Sequence, residues 1–457
     1  MRAAVGLVIA VFLTVAPASA FADQTSSNMS YVKNLPYEAR NGDTPNSGSD
    51  IEFASIAGRQ YALAGSYDNG MQIVDITNPR RSRIAAVYDC GVTQGDVQVF
   101  TQANKAGRIF AGYTSDTTGD GTSTCYREAE ALGFSVKKSN GQGKNGTFIV
   151  ELTNPLAPKT VSFVEVAQGS HNHSIHPGGR YLYNSNSDLM TSYQPAIEVF
   201  DIRNFAAPRK VTELALPTRP GLGTESHDIT FSDDGNRAYS AALSQGVVID
   251  TSKPAAPAIV STWLDPAINV WHQADPVTIG GRDFVLVEDE FAGAAGGPVC
   301  PSGGFHVYEI TGALEQSPKK VGYWNIDDAG PTHDPAGTCT AHVFDIHESE
   351  QVMTVAFYNG GVRVVDLSGL ATDEGLKQIG YYKTSNADTW AAKTPVIEQN
   401  GSFWLYGNDR NRGLDVYRFD ATLPEAESGG TWLNATAALS LPAASRTGTS
   451  YICLIPG

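Results

Sequence analysis

Histidine is absent from the first 170 residues of this chain, and the nine that occur all follow. Basic residues are also scarce: 32 Lys and Arg stand against 48 Asp and Glu in 457 residues, a formal charge of −16. Nucleic acids and anionic membranes need clustered cations to neutralise their phosphates, so neither is an expected partner. No apolar run beyond residue 22 approaches the roughly 20 residues of a membrane-spanning helix, so no membrane span is expected. The five cysteines form no Cys-x-x-Cys pair, which argues against a locally wound zinc or iron–sulfur site. Gly-x-Ser-x-Gly elbows and Gly-Lys-Ser/Thr phosphate loops are missing too, so there is no local sign of a hydrolase serine or a P-loop.

What is present begins with Arg2, an apolar stretch from Ala3 to Val15, and small residues at Ala18, Ser19 and Ala20. This reads as a signal peptide over 1–22, cleaved after Ala20 or Ala22, sending the mature protein to the periplasm or the cell exterior. Disulfides persist there. The 46 Gly and 24 Pro, set among 19 Tyr and 18 Phe, describe many turns joining aromatic-rich strands.

One motif recurs seven times. Gln72-Ile73-Val74-Asp75-Ile76-Thr77-Asn78-Pro79 returns as Phe148-Ile149-Val150-Glu151-Leu152-Thr153-Asn154-Pro155 and as Glu198-Val199-Phe200-Asp201-Ile202-Arg203-Asn204. Shorter copies end at Asp250, Glu309 and Asp366, and a degenerate one places Arg418 at the acidic position. The aligned positions are separated by 76, 50, 49, 59, 57 and 52 residues, the period of a propeller blade of four short strands. The expected fold is therefore an all-β, seven-bladed β-propeller over 23–420. A polar stretch at about 114–145 is read as a loop insertion, and 421–457 as a tail lying over the surface, with Cys453 as its tether. The last unit has no convincing fourth strand, so Ser30-Tyr31-Val32-Lys33-Asn34-Leu35-Pro36 is expected to complete blade 7. The repeat resembles the LVIVD-repeat family of exported bacterial proteins. That resemblance implies a propeller and names no reaction.

Four histidines recur where each unit's innermost strand begins: His173, His227, His272 and His342. His227 and His272 are each followed by Gly at an offset of eight and Arg at ten, while His173 precedes a shorter turn. Ser49 and Gly95 occupy the aligned place in blades 1 and 2. In a propeller these positions converge at the channel mouth, and imidazoles from separate blades can hold copper or iron with positions left open. The competing reading is a histidine bonded within its own blade. His171 and His176 flank His173, and His171 or His176 could replace it; His333 is a further candidate. Glu225, Glu288 and Glu290 are candidate carboxylates for orienting an imidazole or moving a proton. Tyr67 and Tyr358 lie in loops opening on the same face.

Disulfides Cys90–Cys125 and Cys300–Cys339 are expected to staple loops over that face. A calcium reading attaches to Asp116-Thr117-Thr118-Gly119-Asp120-Gly121, although the bidentate Glu of an EF-hand is missing. The functional expectation is a copper- or iron-dependent oxidase or oxygenase of a small-molecule substrate. The alternative is a metal-free propeller scaffold binding a protein or envelope ligand on the propeller face.

Overall fold

The computed structural model describes residues 22–166, 169–185, 196–219, 223–291, 300–327, 338–425 and 429–444. The expected signal segment, His333 and Cys453 lie outside them. Seven antiparallel sheets follow one another along the chain and make a seven-bladed β-propeller. Blades 1 to 4 are continuous four-stranded meanders over 48–88, 92–165, 172–215 and 228–263. Blades 5 and 6, over 271–326 and 342–383, each gain an outer fifth strand from a chain terminus.

Blade 7 has three strands of its own, Thr389–Lys393, Phe403–Asp409 and Gly413–Phe419. Met29–Leu35 supplies the fourth, pairing Tyr31 with Tyr417 and Leu35 with Leu414. The ring is thus closed by joining its two ends, with the N-terminal strand covering the outer edge of Gly413–Phe419. The tail packs on the propeller, and part of it is built into a sheet. Gly430–Asn434 is a strand on the outside of blade 5, with Trp432 opposite Trp324, and it continues into the short helix Ala435–Ala438. Space for Trp432 comes from Gly322 and Gly375, where any side chain would collide with the indole. The insertion carries the helix Thr124–Ala131, tied to blade 2 by Cys90–Cys125.

The repeated motif is the third strand of each blade. Ile73 and Val74 are both fully buried because blades pack on both faces of this strand. The acid at its end has two partners. Asp75, Asp201, Asp250 and Asp366 each accept a backbone N–H two residues on, turning the chain toward the outer strand. Five of the acids also pair with an arginine near the start of the second strand: Arg59–Asp75, Arg108–Glu151, Arg180–Asp201, Arg237–Asp250 and Arg282–Glu309. This pairing explains why arginine recurs near the start of the second strand. In blade 7 the charges are exchanged, and Arg418 pairs with Glu398.

Innermost strands line a central cavity of about 740 Å³. Along each strand, side chains alternate toward the preceding and following blades. Asp50, Asp96 and Gln98 accept backbone N–H groups of the next blade, so polar groups on these strands join the blades. Among the described residues no helix is long and apolar enough to cross a membrane.

Candidate metal centre

Three of the four expected histidines, His227, His272 and His342, stand side by side at one end of the cavity. The fourth place is taken by His171. The His171 N–H donates to Ser185 O at 3.0 Å, as the His227 N–H donates to Ala241 O at 2.7 Å, so these two occupy the same ladder position. His173, two residues further along the strand and paired with Asn184, lies deeper in the channel wall, where its N–H donates to Asp96 of blade 2. Its Nδ1 lies 2.7 Å from Asp96, and its Nε2 fills the space left by Gly112, where a side chain would overlap it. The signal was present in the sequence: His171 precedes Gly179 by eight residues, the offset of His227 and His272, and only the arginine is displaced.

Ring centroids lie 4.4 Å apart for His171 and His227, 4.0 Å for His227 and His272, and 4.4 Å for His272 and His342. Other side chains complete the circle. Trp390 of blade 7 is 4.3 Å from His342, Tyr67 of blade 1 is 5.4 Å from Trp390, and the Tyr67 hydroxyl meets Gln94 of blade 2 at 2.9 Å. The Gln94 amide returns to within 3.3 Å of His171.

Each imidazole is held from behind through Nδ1. His227 donates to the His272 carbonyl at 3.1 Å and His342 to the Trp390 carbonyl at 2.6 Å. A carbonyl only accepts, so in both rings Nε2 bears the lone pair and faces inward. His171 Nδ1 lies 3.1 Å from Asp116, and His272 Nδ1 lies 2.5 Å from Glu288. Oxygen acceptors behind metal-binding imidazoles are the usual means of fixing tautomer and orientation.

Burial disfavours charge on these rings, and neighbouring imidazoles add to the effect. His227 and His342 are held well below the ordinary histidine pKa, and His272 is brought down to about 4 by burial despite Glu290. For His171, burial also lowers the pKa, but Asp116 more than offsets it and the value ends raised. This agrees with geometry: His171 Nε2 is 2.9 Å from His227 Nε2, and since the latter accepts, His171 donates from both nitrogens. Burial, Glu290 and Asp289 push Glu288 well above the usual carboxylate range. For His272 to present Nε2 to an ion, Glu288 must accept from Nδ1, so ion binding there expels a proton from this pair.

Of the carboxylates read from the sequence, Glu290 faces the rings directly. Its Oε2 is 3.6 Å from His272 Nε2 and its Oε1 is 3.7 Å from His342 Nε2. Ligand atoms of His272, Glu290 and His342 all lie within 4.8 Å of one another, close enough for one ion. Glu288 acts behind His272. Glu225 is buried on blade 4, accepting from the Thr224 N–H at 2.9 Å. His176 reaches the Gly235 carbonyl, His306 meets Lys320 within blade 5, and His347 lies beside Asp345. In the segment read for calcium, Asp116 turns to His171 while Asp120 is bound by Arg40 and Thr122.

Cys300–Cys339 forms as expected and joins the segment following Glu290 to the one preceding His342. The Phe291 N–H donates to Thr340 Oγ1, which itself donates to the Asp289 carbonyl, binding the same two arms together.

No family model and no curated protein matches this chain. Solved structures resemble it in fold. The Cps50 (Swd1) β-propeller domain of Myceliophteria thermophila has a TM-score of 0.49 at 10% identity, over 84% of this chain and 99% of that one. A functionally unknown protein from Desulfotomaculum acetoxidans has a TM-score of 0.44 at 14% identity, over 74% and 90% of the respective chains.

Proposed function

We propose that this protein is an exported metalloprotein whose ion sits at the mouth of the propeller channel. His272, His342 and Glu290 are its ligands, and His227 is the neighbouring imidazole, joining them only once its Nε2 is released by His171. Two imidazoles and one carboxylate with open positions suit iron(II), and a third imidazole also suits copper. The reading extends to an iron- or copper-dependent oxidase or oxygenase of a small molecule, with the cavity beneath the rings as the substrate space. Export follows from the signal-peptide pattern, the LVIVD-type repeat and two disulfides.

The carrying observation is that ligand atoms of His272, Glu290 and His342 lie within 4.8 Å of one another, with the His342 Nε2 lone pair turned inward by the Trp390 carbonyl behind its Nδ1. The test is elemental mass spectrometry on protein purified from its native compartment. Near-stoichiometric iron or copper is expected, lost in His272→Ala and His342→Ala while the far-ultraviolet circular dichroism is kept. No bound metal after reconstitution with each ion overturns the reading.

A second reading rests on the His171–His227 hydrogen bond, which joins blades 3 and 4 without any ion. In it the histidines are structural and the propeller is a scaffold for a protein or envelope ligand. It predicts that His227→Ala lowers stability and leaves metal content at background.

A further inference from the structure

Glu290 sits between two imidazoles, and something must hold it there. Tyr358 does so from blade 6. Its ring is fully buried, its centroid is 4.8 Å from that of His342, and its hydroxyl donates to Glu290 Oε1 at 2.7 Å. Tyr358 is itself firmly placed. Its backbone exchanges two hydrogen bonds with Thr389 of blade 7, each 3.1 Å, and it adopts φ 44, a strained value for an aromatic residue. The Arg410 guanidinium lies 5.2 Å from the Tyr358 ring and 5.9 Å from Trp390, and is fixed by Asp388 at 2.8 and 3.0 Å. The same stretch, Asp388 to Trp390, therefore supports Tyr358 and supplies the carbonyl behind His342.

We infer that Tyr358 is a positioning residue for the metal: its hydroxyl occupies Glu290 Oε1, leaving Oε2 as a single-point ligand and one coordination position open. This rests on the proposed metal site and adds the element that sets its carboxylate. Without the hydroxyl, Glu290 loses the bond that sets Oε1 and can bind through both oxygens. Outer partners of metal ligands commonly account for 10–100-fold in affinity.

The experiment titrates cobalt(II) alone into the apo form of the full mature protein, following the visible ligand-field bands and the dissociation constant. Tyr358→Phe keeps the ring and removes the hydroxyl. A 10–100-fold weaker affinity with altered band positions is expected, whereas Tyr183→Phe, which removes a hydroxyl bonded to the Pro254 carbonyl away from the rings, behaves as wild type. An unchanged affinity and spectrum in Tyr358→Phe overturns the inference while leaving the metal site standing. Weaker binding with an unaltered spectrum overturns it as well, since that result assigns Tyr358 to loop stability. Wild-type protein that binds no cobalt, iron or copper overturns the site and the inference together. Thermal unfolding of each variant in chelator identifies any that fails to fold, and Glu290→Gln serves as the second variant, expected to lose cobalt binding outright.

Discussion

Lys393 is the cation of the cavity wall, where it meets Asp50 at 2.9 Å and Glu52 at 2.9 Å amid the carboxylates of Asp96, Asp228, Asp275 and Asp345. Replacing it with Met preserves length and removes charge. Burial already pushes Asp50 up to about 7 despite Lys393, while the two acids hold Lys393 well above its ordinary value. For a raised acid, stability is full below the unfolded pKa and falls as pH rises through the folded one. At pH 8, Asp50 thus costs about 1.36 × (7 − 3.9), or roughly 4 kcal/mol. Without Lys393 that cost can grow only to roughly 6 kcal/mol, because the acid then takes up a proton. Adding the loss for Glu52 and for the favourable lysine shift, Lys393→Met should destabilise by about 3–5 kcal/mol at pH 8, the range for a broken buried pair. At pH 5, Asp50 is protonated in both proteins and the loss falls to about 1–2 kcal/mol. Urea unfolding followed by tryptophan fluorescence at pH 5, 6.5 and 8 measures this directly, and Asp50→Asn in the same chain should recover part of the pH 8 loss. A destabilisation equal at all three values would refute the electrostatic account.

Other outcomes follow from the same structure. His171→Ala should perturb the spectrum of bound cobalt, whereas His173→Ala should leave it unchanged and lower the unfolding midpoint, since His173 packs between blades 2 and 3. Arg40 binds both Asp89 and Asp120 and holds Asp120 at about 2 against the effect of burial. A depressed acid contributes stability above its unfolded pKa of about 3.9 and loses it as pH falls toward 2. Arg40→Met should therefore flatten the acid limb of a stability–pH curve while changing little at pH 2. Replacing Cys300 and Cys339 by Ser frees a loop of 39 residues, which should cost about 4 kcal/mol and weaken metal binding in a chelator competition. Trp432→Ala should lower the thermal midpoint without altering metal content, because blade 5 loses only an outer strand contact.

The blades were legible because each repeats a buried apolar pair, and six of the seven follow it with an acid that accepts a turn N–H, pairs with an arginine, or both. The closing strand was legible by default, as blade 7 lacked a fourth. Gly430–Asn434 was not, since its driving contact is Trp432 seated on Gly322 and Gly375, residues more than 50 positions away. At the site, register alone identified His227, His272 and His342, but two histidines competed in blade 3. Choosing His173 required a shorter turn, whereas the spacing of eight residues to the turn glycine and the ladder position shared with His227 favour His171. Trp390 and Gln94 escaped notice because the circle is completed by unlike side chains, which no repeat search aligns.

Joining the first strand to the last blade also dictates an order of events. Residues 29–35 have no partner until residue 419 has been made, and the rings of blades 3 to 6 take their backing from the next blade's backbone or from acids on neighbouring strands. On the proposed reading, an ion is held fully only once blade 7 is in place to back His342. Any ion that prefers the closed form adds RT ln(1 + [L]/Kd) to its stability, so occupancy of the channel mouth and integrity of the seam between the two termini are thermodynamically linked. A lesion at Tyr31 or Leu35, remote from every imidazole in sequence, should then reappear as a loss of metal, and a loaded site should slow the opening of that seam.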